Sequence, residues 1–71
     1  MFNGHKNWNH WNVSLWINND ENLYSLAQTA IKHNKTRNDA VSELFELLDG
    51  LKTPDGAKYS KSAIRAAMVG M

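Results

Sequence analysis

The chain contains no cysteine, and in 71 residues that absence decides how it can fold. Small domains usually supplement a thin core with disulfides or thiolate-bound zinc, and neither device is open here. A thiol nucleophile is excluded on the same ground. Order must come from burying side chains, and a chain of this size buries only about 60% of the surface its unfolded form exposes. Hydrophobic residues make up 42% of the sequence, enough for one compact core and too many for a disordered chain. No apolar run approaches the roughly 20 residues that span a bilayer, and the first residues are polar, unlike a signal peptide. The expectation is a cytoplasmic protein with no membrane contact.

Periodicity assigns the chain to the all-α class, as a small single-domain bundle of three to four short helices covering residues 1–71. Residues 1–7, with Gly4 among polar neighbours, read as a flexible tail. Seven of the first 22 residues are Asn, so strong helix formers are scarce there. From Trp8 to Ile17, Trp8, Trp11 and Leu15 fall on one helical face and Val13, Trp16 and Ile17 on another; alternation over Trp11, Val13 and Leu15 also permits a short strand. Asp20 reads as the cap of a second helix ending near His33, with Leu23, Leu26, Ala27, Ala30 and Ile31 as its apolar face. A third helix, Asn38 to Asp49 with Thr36 or Asn38 as cap, carries the stripe Val41, Leu44, Phe45 and Leu48 and stops at Gly50. Thr53-Pro54-Asp55-Gly56 is a turn, and Ser60 caps a last helix running to Val69. Trp11 and Trp16 are expected in the core, where large rings bury area efficiently; Trp8 stays open between core and surface.

Little in the pattern points to catalysis or to a bound cofactor. His5, His10 and His33 offer no i, i+4 pair with a carboxylate, so they read as surface residues with no metal. No serine lies in a G-x-S-x-G context, and the four glycines make no phosphate loop. The net charge is only +1, but the last 21 residues hold Lys52, Lys58, Lys61 and Arg65 against a single acid, Asp55. A helix, a turn and a short capped helix presenting Lys61, Ser62 and Arg65 have the layout of a helix-turn-helix, with Lys52 and Lys58 available to phosphates. The opposing possibility is a protein partner, met by exposed aromatics at Phe2, Trp8 and Tyr24.

Two segments resemble known families. Residues 48–68, L-D-G-L-K-T-P-D-G-A-K-Y-S-K-S-A-I-R-A-A-M, resemble a stretch of the DNA-binding recombinase domain of large serine recombinases, through Thr53, Pro54, Gly56, Tyr59, Ser60, Ile64 and Arg65. Ala63 stands where that family usually has Thr, Ala66 replaces a second basic residue, and the catalytic serine domain is absent. Residues 9–27, N-H-W-N-V-S-L-W-I-N-N-D-E-N-L-Y-S-L-A, resemble a run found in small uncharacterised phage proteins, matching at Trp11, Asn12, Val13, Leu15, Trp16, Asn19, Asp20, Glu21, Leu23 and Tyr24. The second resemblance implies a phage origin, and hence the cytoplasm of a host cell, without bringing an activity. Together these readings anticipate a non-enzymatic accessory protein whose partner is either DNA or a host protein complex that it modulates or inhibits. A two-fold homodimer would add buried area to so small a chain and would suit a palindromic site.

Overall fold

The computed structural model describes residues 4–71 and is a small all-α bundle. Phe2, named above as a partner-binding candidate, lies outside the described residues. The helices are α1 (Trp8–Asn19), α2 (Glu21–His33), α3 (Arg37–Leu48) and α4 (Lys61–Ala67). They pack in a closed circuit: α1 on α2, α2 on α3, α3 on α4 and α4 back on α1.

Each start is fixed by a side chain that satisfies an otherwise free backbone N–H. Asn7 accepts from the amide of His10, Asp20 from Leu23, Thr36 from Asp39 and Ser60 from Ala63. Asn7, at the end of the expected tail, thus belongs to the start of α1. Asp20 serves both neighbouring helices, because its own N–H also closes the last turn of α1 on the Trp16 carbonyl at 2.8 Å. The alternative strand over Trp11 to Leu15 does not form; that segment is continuous helix.

The core is built from small and branched side chains. Val13 and Ile17 of α1 meet Ala27 and Ala30 of α2, Ala40, Val41, Leu44 and Leu48 of α3, and Ala63, Ile64, Ala67 and Met68 in and just beyond α4. Among the described residues alanine contributes six of the fourteen buried apolar positions, which lets short helices approach closely without large rings between them. The tryptophan expectation is corrected accordingly: Trp11 and Trp16 are half-buried at the margin, and Trp8 is 39% exposed. For Trp16 the reason is its indole N–H, which reaches a carboxylate at the surface. Leu26 departs from its expected face and is exposed, as is Leu15.

Candidate functional site

The connection from α3 to α4, residues 49–60, is the longest in the molecule and the only one that contributes to the core, through Ala57 and Tyr59. Its geometry begins with Pro54, which presets φ at the turn, and Gly56, whose φ of +95° suits a residue without Cβ. The turn closes with the Gly56 amide on the Thr53 carbonyl at 2.8 Å, and the Thr53 amide on the Ala57 carbonyl at 2.8 Å. Lys52 and Lys58 then face each other in an antiparallel bridge.

One face of α1 grips this loop with side chains spaced three and four residues apart. Asn9 holds the Lys58 backbone at both ends of its amide, accepting from the N–H and donating to the carbonyl, each at 3.0 Å. Asn12, 1% exposed, accepts from the Thr53 hydroxyl at 2.6 Å and donates to Asp55 Oδ2 at 2.8 Å. Trp16 Nε1 donates to the same oxygen at 3.0 Å. Thr53 completes the set by accepting the Ala57 amide at 3.0 Å. Among the described residues no buried side-chain polar atom lacks a partner, which is what a buried polar network needs in order to stabilise. The Asn12 amide, and then the Trp16 indole, hold the Asp55 carboxyl below the ordinary aspartate range against a smaller desolvation effect.

The clamped loop leaves a cleft of about 330 Å³ against the end of α3, lined by Phe45, Leu51 and Tyr59 together with Asp49, Lys52 and Lys58. This volume is at the lower end of the range for ligand pockets. The five candidate DNA contacts divide around it. Lys52 and Lys58 line the cleft, and Lys61, outside the lining, places its ammonium 5.5 Å from the centre of the Phe45 ring. Ser62 and Arg65 are exposed but turned to neighbouring helices: the Ser62 hydroxyl lies 3.0 Å from His10 Nε2, and Arg65 donates to the Asn38 side chain. The connection is also far longer than the three or four residues of a helix-turn-helix turn. Trp8 and Tyr24 are exposed on α1 and α2 and take no part in the cleft.

The His10–Ser62 pair, which the sequence did not suggest, has the reach of a base and a nucleophile. Its surroundings oppose that role. Burial, then Lys6 and His5, push the His10 pKa down, so the imidazolium that such a base must form is disfavoured, and no carboxylate among the described residues bonds its ring. No group of three or more potential metal ligands converges among the described residues, and no helix is long and apolar enough to cross a membrane.

A protein-family model matches residues 1–71. The chain belongs to that family, a family of unknown function (DUF7249). No curated protein and no solved structure matches it. Family membership therefore leaves the activity to be argued from the clamp and the cleft. The clamp also gives part of the run from Trp11 to Tyr24 a structural role, since Asn12 and Trp16 hold the loop and Asp20 joins two helices.

Proposed function

We propose that the chain is a non-enzymatic accessory protein of phage type, acting in the host cytoplasm, and that it binds a protein partner at the lysine-edged cleft beside α4. The observation that carries this reading is the cleft itself: an apolar floor of Phe45, Leu51 and Tyr59 held in shape by a loop that α1 clamps. A preformed apolar hollow with a polar rim is the usual centre of a protein interface. Leu51, 56% exposed, adds accessible apolar surface to the cleft. The phage source rests on the run from Trp11 to Tyr24.

DNA is the second reading. It is favoured by the placement of Lys52, Lys58, Lys61 and Arg65, none of which forms an ion pair among the described residues, where the only pair joins His33 to Glu43. It is weakened by a net charge of +1 and by the inward engagement of Ser62 and Arg65. The two separate in one experiment. Tagged wild-type protein and a Lys52→Glu/Lys58→Glu variant are used to capture partners from host lysate, with and without nuclease, at rising salt. The protein reading expects a partner that survives nuclease and is lost in the variant. Recovery of nucleic acid alone, with log K falling against log salt at a slope near −3.6 for four phosphate contacts, would overturn it in favour of DNA.

A further inference from the structure

Resting on that reading, we infer that the cleft takes a short acidic peptide segment of the partner, seating a carboxylate between Lys52 and Lys58 and a large apolar side chain over Phe45 and Leu51. The antiparallel bridge sets Lys52 directly opposite Lys58. Two cations placed side by side concentrate positive potential at one point of the surface. No carboxylate among the described residues pairs with either ammonium. A carboxylate seated between them gains two charge-assisted contacts at once.

Phe45, Leu51 and Tyr59 make part of the lining apolar, so charge alone does not fill the site. Phe45 is half-buried and Leu51 largely exposed, and together with Tyr59 they supply the apolar part of the lining. Lys61, outside the lining, holds its ammonium 5.5 Å from the centre of the Phe45 ring and adds a third positive charge nearby. Asp49 lies at the α3 end of the same cleft and repels acid there, which gives the bound segment a direction: apolar group toward α3, carboxylate toward the bridge. Extended nucleic acid fits less well, since its phosphates are spaced along a backbone and Asp49 lies in their path.

The test uses the full chain labelled with ¹⁵N and three synthetic peptides: Gly-Ser-Leu-Asp-Glu-Gly, the same peptide with Ser for Leu, and the same peptide with Asn and Gln for the acids. A short DNA duplex is the fourth probe. The acidic leucine peptide is expected to move the amides of residues 45, 49–52 and 58–60, and to bind about tenfold or more tightly than either control peptide. Lys52→Glu and Lys58→Glu, both exposed positions, should each weaken it by a similar factor, and Leu51→Ser should do so without altering the net charge. Equal binding of the serine peptide, or shifts centred elsewhere, would overturn the inference. So would duplex DNA that moves these amides where the leucine peptide does not. If the peptides fail while a protein partner is still captured in a Lys52- and Lys58-dependent way, this inference falls and the protein-binding reading stands. If that capture is also indifferent to both lysines, both fall.

Discussion

Asn12 is an amide buried in the middle of a helix rich in aromatic residues, and both of its ends are used, on Thr53 and on Asp55. Truncation leaves the Thr53 hydroxyl buried without its acceptor, so Asn12→Ala should destabilise the fold by about 1–3 kcal/mol. Trp16→Phe keeps an aromatic ring but removes the indole donor and some packing area, and should cost about 1 kcal/mol or a little more. Urea denaturation of the three proteins orders them. None of this was legible in the sequence, where seven asparagines in 22 residues read as a shortage of helix formers. The partners of Asn12 lie more than 40 residues away, and no local pattern reports them. His10 offers a second check at this scale. Its folded pKa lies below the ordinary 6.5, so as pH falls through that value the unfolded chain takes up the proton first and the folded state loses stability. The urea midpoint should therefore drop between pH 7.5 and pH 5, and His10→Gln should flatten part of that drop. Asp55, held low, supports the fold above its unfolded value and loses that support only as the pH falls further, toward its still lower folded value.

Among the elements, starts and stops were legible because their causes are local. Asp20, Thr36 and Ser60 cap the helices for which the sequence nominated them, and Gly50, with φ +82°, ends α3 in the conformation that glycine tolerates best. The face of α1 was less legible. Its apolar residues lie all round the helix, and periodicity could not tell the side that meets the core, Val13 and Ile17, from the side bearing Leu15 and Trp8. Helix α4 has only seven residues, so its cap matters in proportion. Ser60→Ala removes the acceptor of the Ala63 amide and should lower stability by about 1 kcal/mol, seen as a fall in Tm, while Ser62→Ala, which leaves that acceptor in place, should cost less.

For the whole molecule, the circuit of four helices closes through α1 and α4, the pair most distant in sequence, and the 49–60 loop is held within that closure. The all-α class followed from periodicity. The cleft did not, because it depends on a loop whose path is set by side chains of the first helix. The candidate cations were legible as a cluster in the sequence, but only Lys52 and Lys58 line the cleft, while Lys61 lies against Phe45 and Arg65 turns to Asn38. A binding surface made by a loop is useful only if the loop is rigid before its partner arrives, since ordering it on binding would subtract from affinity. Native-state amide hydrogen exchange tests that rigidity directly. The amides of Thr53 and Ala57, bonded at 2.8 Å and 3.0 Å within the clamped turn, should exchange nearly as slowly as Ile64 in α4, and should speed up in Asn12→Ala. Exchange of both amides in the wild-type protein at close to the unprotected rate would contradict a loop preformed by α1.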